Sequence, residues 1–262
     1  MISSYTRPRE IKELVARHRE GAVYLAGGTQ VNRAPLDRKV PEAVVDIRDA
    51  VPAGIHREGT DIVIGAMTCL QDVGDAEAVP EPLREAALFI PTRSVRNQAT
   101  IGGNIGAKRP DSYVIPALIA LAAVARTTEG NIAVEDYVQG DYDELILDIH
   151  VPVPVGVCRV VKESRSHVAL PVVSAAVSLT SDDEHRPAGA CVAVGCVAPR
   201  TIRLTEVEQG LVAGTLTTRK DLEAAIREAV EPTPDILGSA VYKKYINGVV
   251  IADAVVRCLE AL

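Results

Sequence analysis

The residues best placed to do chemistry in this chain lie in two glycine words about seventy positions apart, Ala26-Gly27-Gly28-Thr29-Gln30 and Ala99-Thr100-Ile101-Gly102-Gly103-Asn104-Ile105. Successive backbone N–H groups at a glycine turn form a nest for an anion, and the missing side chain lets a phosphate approach the main chain. A hydrogen bond to a charged group contributes about 1.5–3 kcal/mol net, whereas association costs about 4–15 kcal/mol in lost freedom. One turn alone would barely hold a dinucleotide. The two words are therefore read together, as contacts to one ligand with two phosphates.

Other chemistry-bearing residues are dispersed. Cys69, Cys158, Cys191, Cys196 and Cys258 form an odd, scattered set. No disulfide is expected from it, and a plant-type iron-sulfur site needs four closely spaced thiolates where Cys191 and Cys196 supply two. Both are read as buried strand residues. His18, His56, His150, His167 and His185 form no His-x-x-x-His pair, so no metal site is expected. A net charge of −7 without any Lys/Arg cluster argues against nucleic acid as a partner. The longest apolar run, Val114 to Ala125, contains Pro116 and is too short for a bilayer. The amino terminus has no apolar core of a secretion signal, so a cytoplasmic location is expected.

The elements that must position the glycine words can be read from periodicity. Thr6 and Pro8 suggest a helix start, with Ile11, Leu14, Val15 and His18 on one face and Gly21 ending the run. A buried strand, Ala22 to Ala26, then delivers the chain into Gly27-Gly28. The next segment, Thr29 to Pro35, has no helical period and meets a proline early; Gly-x-Gly-x-x-Gly is absent too, which disfavours a doubly wound nucleotide fold. Further strands are expected at Ala43–Ile47 and Asp61–Gly65. Thr68 and Gln71 have capping-box spacing for a helix toward Ala76, and a second helix is expected from Glu81 to Leu88. Arg93 and Arg96 precede the second word and are read either as phosphate neighbours or as solvated or paired side chains.

Asp111 and Ser112 can cap the apolar helix that runs to Ala122, and a hairpin is expected around Glu129-Gly130-Asn131. The segment from Glu144 to Val151 alternates toward Pro152-Val153-Pro154, a candidate domain boundary. Beyond it come strands near Val157–Lys162, Val172–Thr180 and Ala190–Val197. Two helices close the chain, one with Leu222, Ala225, Ile226 and Ala229 on its face, the other with Val241, Tyr245, Val249, Ala252, Val256 and Leu259. The tail reads as an α+β unit.

The words Leu25-Ala26-Gly27-Gly28-Thr29 and Arg96-Asn97-Gln98-Ala99-Thr100-Ile101-Gly102-Gly103-Asn104, in this order and spacing, resemble the FAD-binding medium subunit of molybdenum hydroxylases such as xanthine dehydrogenase and carbon monoxide dehydrogenase. Weaker echoes at Val63 to Thr68, Leu170 to Val177 and Gly238 to Tyr245 extend the likeness over nearly the whole chain. The resemblance implies an α+β chain: a vanillyl-alcohol-oxidase (PCMH)-type FAD-binding fold over 1–154, in subdomains of about 1–55 and 56–154. An α+β carboxyl-terminal domain with a small antiparallel sheet and helices, 155–262, would then cover the flavin.

By motif position the resemblance implies that Ala26, Gly27, Gly28, Thr29 and Gln30 hold the pyrophosphate, that Thr100, Gly103 and Asn104 form a second cradle, and that Asp111 binds ribityl or ribose hydroxyls. Asn104 could instead close its own turn, and Asp111 could also serve as a helix cap. The implied function is an oxidoreductase subunit that passes electrons from iron-sulfur clusters through non-covalent FAD to NAD or another acceptor. Molybdopterin would sit on a large partner subunit and the clusters on a small one. The histidines nearest the first word, His18 and His56, lie outside it, which favours a non-covalent flavin. Gln30 stands where many members carry Asp, and Lys108-Arg109-Pro110 where small residues are usual. Those departures keep two alternatives open: an assembly subunit that keeps the fold without flavin turnover, and a stand-alone flavin oxidase or reductase.

Overall fold

The computed structural model of the chain describes residues 2–31 and 40–262. The expectation for Asn32 to Pro35 lies outside the described residues, while Thr29 to Val31 form a turn rather than a helix.

The chain opens with β1 (Ser4–Thr6), α1 (Ile11–Arg19), β2 (Val23–Leu25) and β3 (Ala43–Asp46). The three strands form a parallel sheet in the order β1-β3-β2. Parallel strands of one sheet need a crossover, and α1 provides it between β1 and β2, the two strands that flank β3. Thr6 belongs to β1, so it does not start the helix; Glu10 occupies the cap position, and of the expected helix face only Leu14 is fully buried. The strand expected to be buried is half-exposed from Val23 to Leu25, because β2 is an edge strand.

Next come β4 (Ile55–Glu58), β5 (Asp61–Gly65), α2 (Leu70–Asp75), α3 (Glu81–Leu88), α4 (Arg93–Arg96), α5 (Ile101–Gly106), α6 (Val114–Ala120), β6 (Val124–Thr127), β7 (Gly130–Ala133), α7 (Val134–Gln139) and β8 (Ile146–Pro152). The strands form an antiparallel sheet in the order β4-β5-β8-β6-β7. As its central strand, β8 is buried almost throughout and lacks the alternation expected of it. Every residue of α6 is buried, as an all-apolar helix must be. The expected capping box does not form: the Thr68 hydroxyl bonds the Gly54 backbone instead, and the Gln71 amide donates to Asp75. Arg96 is bonded to Gln71 and to the carbonyl of Ile90, so it serves the local fold.

The remaining elements are β9 (Val157–Ser164), β10 (Pro171–Ser181), β11 (Pro187–Gly195), β12 (Ile202–Arg203), α8 (Thr205–Val212), α9 (Arg219–Ala229) and α10 (Ala240–Leu259). The sheet is antiparallel, in the order β12-β11-β10-β9. Along β10, Val173, Ala175, Val177 and Leu179 face a core shared with α8, α9 and α10, while Ala176 joins the core that holds α6. The sheet thus links two cores. The face expected of α10 is rotated: Ala252 is buried as expected, but Val241 and Tyr245 are exposed, and Lys243, Asn247, Ile251, Ala254, Val255 and Cys258 are buried in their place. Close approach to α9 sets this rotation: a Cβ on Gly248 would lie 2.7 Å from Arg227 Cγ. Cys196 lies just past β11, not within a strand, and adopts a left-handed φ of 65°. The whole is an α+β fold.

Candidate cofactor site

The edge strand β2 delivers the chain directly into the first glycine word. Gly27 lacks a side chain because the protein leaves no room for one: a Cβ there would fall 1.5 Å from the carbonyl oxygen of Gln98. The two words therefore touch, the first packed on the residue that precedes the second. Gly28 adopts a φ of 72°, which glycine tolerates without strain. Among the described residues no protein acceptor lies within hydrogen-bond distance of the backbone N–H groups of Gly27, Gly28 or Thr29.

The second word is a helix, not a turn. Thr100 is the N-cap of α5, and its hydroxyl accepts from Gly103 N at 3.1 Å. The N–H groups of Ile101 and Gly102 donate to the carbonyls of Thr68 and Ala66, and that of Asn104 to Thr100. All four successive N–H groups are thus committed within the protein, and the expected backbone nest does not exist at this word. The second word offers a bare surface instead. Gly102, Gly103, Gly106 and Ala107 fall on one face of α5 and border a cavity of about 710 Å³.

The first word borders the same cavity through Ala26, Gln30 and Val31. Tyr24, Tyr137 and Tyr142 supply aromatic walls, with Leu145 and Ile146 at the start of β8. Burial, with Asp143 nearby, pushes the Tyr24 phenol up to about 12, and burial raises Tyr137 further, so both stay neutral donors. The Tyr137 hydroxyl donates to the carbonyl of Glu144 at 3.0 Å. His18 also lines the cavity, stacked on Tyr24 with ring centroids 4.1 Å apart. Its Nδ1 lies 2.8 Å from the Ala22 carbonyl and its Nε2 3.2 Å from Asp143, so both ring nitrogens are engaged.

Asp111 is not among the residues that border this cavity. Arg109 holds its carboxylate in a bidentate pair at 2.7 and 2.6 Å. Ser112, not Asp111, serves the start of α6, accepting from Val114 N and Ile115 N. Asn104 Oδ1 accepts from the Ser112 hydroxyl at 2.6 Å. Of the nine expected contact residues, Ala26, Gln30 and Gly103 thus meet around one space, Gly27 and Thr100 support its walls, and Asp111 stands apart. Sequence reasoning missed Gly106 and Ala107, although both follow the second word at helical spacing, and it missed the tyrosine walls. Among the described residues no group of three or more His, Cys, Asp or Glu side chains is placed to hold a metal ion. Among them, too, no helix is long and apolar enough to cross a membrane.

Residues 1–154 match the family of the FAD binding domain in molybdopterin dehydrogenase. The chain belongs to this family. Residues 160–257 match the CO dehydrogenase flavoprotein C-terminal domain. The chain is 36% identical over 267 residues to the protein YgfM of Escherichia coli K12, covering 100% of this chain and 98% of that one. It is 33% identical to the carbon monoxide dehydrogenase medium chain of Afipia carboxidovorans, covering 97% and 95%. A structure of reconstituted CO dehydrogenase from Oligotropha carboxidovorans superposes with a TM-score of 0.85 at 30% identity, covering 99% of this chain and 98% of that one. The FAD-binding family places the chain among oxidoreductase subunits, and FAD is the cofactor its domain is built for.

The residues present fit that cofactor. The cavity lies within the roughly 300–1,000 Å³ range of small-molecule sites. A Cβ built on Gly106 would meet nothing within 4 Å among the described residues, so none of their atoms explains the missing side chain there, whereas a ligand in the cavity would. The donors left over at Gly27, Gly28 and Thr29 suit phosphate oxygens.

Proposed function

We propose that this chain is the FAD-carrying electron-transfer subunit of a heteromeric molybdenum hydroxylase, with molybdopterin on a large partner and iron-sulfur clusters on a small one. The observation that carries the reading is the single cavity bordered by both glycine words and by the bare face of α5. Names of relatives as a medium chain and as a complex subunit support the heteromeric part. Bound FAD would supply the means to take up single electrons and release a pair to NAD or another acceptor.

The chain's own residues bind and orient. Gly27, Gly28 and Thr29 present N–H groups to the pyrophosphate, the Thr29 hydroxyl assists, and Ala26 and Gln30 bound the space. Gly103 allows close approach, Thr100 holds α5 in place, and Asn104 donates from its side chain, while Asp111, paired with Arg109 away from the cavity, has no part in this reading. Attachment is non-covalent in this reading, supported by His18, the histidine bordering the cavity among the described residues, whose ring nitrogens contact Ala22 and Asp143. The division into 1–154 and 155–262 is supported by the spans of the two family matches and by the two cores. The purified chain should be yellow, or become so with added FAD and quench its fluorescence. A colourless protein that leaves FAD fluorescence unchanged overturns the proposal.

A further inference from the structure

Ser112 makes three contacts that together decide the orientation of Asn104. Its Oγ accepts from Val114 N at 3.2 Å and Ile115 N at 3.1 Å and lies 2.6 Å from Asn104 Oδ1. A hydroxyl has two lone pairs and one proton. Both lone pairs serve the start of α6, so the proton goes to Asn104, and the amide must turn its oxygen toward Ser112. This network sets which end of the amide meets Ser112. The Asn104 NH2 group then faces away, and among the described residues no protein acceptor lies within hydrogen-bond distance of it. With the N–H groups of 101–104 committed, this amide is an uncommitted donor pair in the second word; Asn104 does not itself border the cavity but directly follows Gly103, which does.

Ser112 is itself held by the carboxyl-terminal sheet. The buried Ser174 hydroxyl donates to Ser112 O at 2.8 Å, and Cys196 N donates to Pro110 O at 2.8 Å. Gly195 has no space for a side chain, because a Cβ would lie 2.4 Å from Pro110 O.

We propose that Ser112, anchored by Ser174, is a positioning residue that locks Asn104 as a donor to an acceptor oxygen of FAD, either a phosphate oxygen or a ring carbonyl. The proposal rests on the FAD reading above. Its test uses the full chain, titrated with FAD and with ADP. Asn104→Asp keeps the bond from Ser112 but cannot donate, and is expected to weaken FAD by about 10–100-fold with an unchanged thermal midpoint. Ser112→Ala frees the amide and is expected to weaken FAD about tenfold, while Ser112→Thr restores binding. Because Ser112→Ala also removes a helix cap, the deciding signal is the Asn104 side-chain NH2 resonance pair: FAD should shift it in the wild type, and Ser112→Ala should displace it before FAD is added.

Weakening toward ADP as well as FAD assigns the acceptor to the phosphates; weakening toward FAD alone assigns it to the flavin half; either supports the lock. Variants that bind FAD as the wild type does, with an NH2 pair indifferent to FAD, overturn the lock and leave the cofactor reading standing. A wild-type chain that binds no FAD overturns both.

Discussion

Gly102 and Gly106 lie one turn apart on α5, yet they lack side chains for opposite reasons, and the contrast separates folding from binding. A Cβ on Gly102 would fall 2.5 Å from Ala66 Cβ and 3.0 Å from Ala66 O, a contact that a methyl cannot make without moving the backbone of the β5–α2 connection. Overpacking of this kind costs about 1–3 kcal/mol. At about 2–4 °C per kcal/mol for a chain of this order of size, Gly102→Ala should lower the thermal midpoint by roughly 2–12 °C. Gly106 has open space before it and no positive φ, so Gly106→Ala should leave the midpoint unchanged or raise it, by up to about 1 kcal/mol of helix propensity. Gly106→Leu goes further and places a branched side chain in the cavity. It should keep the fold but weaken FAD by about 5–150-fold, the equivalent of one overpacked contact. Thermal melts with and without FAD, together with flavin fluorescence titration, read both effects. A Gly106→Leu chain that binds FAD within about twofold of the wild type would refute the assignment of this cavity to the cofactor.

Two further outcomes concern ionisable groups. Burial raises Asp46, but bonds from the Tyr5 hydroxyl, the Arg48 N–H and the Arg48 guanidinium outweigh it and hold the carboxyl below its ordinary range. A depressed carboxylate stabilises the fold above the unfolded value near about 4, and that stability is lost as pH falls through the folded value. Asp46→Asn should therefore flatten the acid limb of stability measured by circular dichroism; parallel limbs would sink the argument. Burial pushes the thiols of Cys158, Cys191 and Cys196 up to about 12 and that of Cys258 up to about 11, and it raises Cys69 as well. Iodoacetamide at about pH 8 should label the native chain slowly and the denatured chain fully, since the thiolate is the reactive form; rapid native labelling of several cysteines, seen by mass spectrometry, would contradict this.

Much of this architecture is legible in the sequence where local pattern decides the outcome. The hairpin at β6–β7, the helix α3 and the strand β5 arise from turn residues and periodicity within one segment. Readings fail where a partner from elsewhere in the chain intervenes. Thr68 has the right spacing for a capping box but finds Gly54, fourteen residues away, and α10 turns Lys243, Asn247 and Gly248 inward beside its apolar residues where α9 approaches at Gly248. The second glycine word stands out in the sequence as a marked site, yet the N–H groups of Ile101 and Gly102 are taken by Thr68 and Ala66, which no local reading could supply. The edge strands β1 and β4 are too short and too exposed to leave a pattern.

The position of β8 has a consequence for how the protein comes into being. It is the last strand of its sheet to be synthesised and the one in the middle, so β4–β5 and β6–β7 can form only as separate hairpins until it inserts between them. Leu145 and Ile146, at its entry, close the cavity wall, and the first word meets the second only across about seventy residues of chain. Such long-range closures form late, after local structure. A nascent chain that has not yet emerged past β8 thus has no pocket to fill, and cofactor loading must come after synthesis of the whole amino-terminal half rather than accompany it.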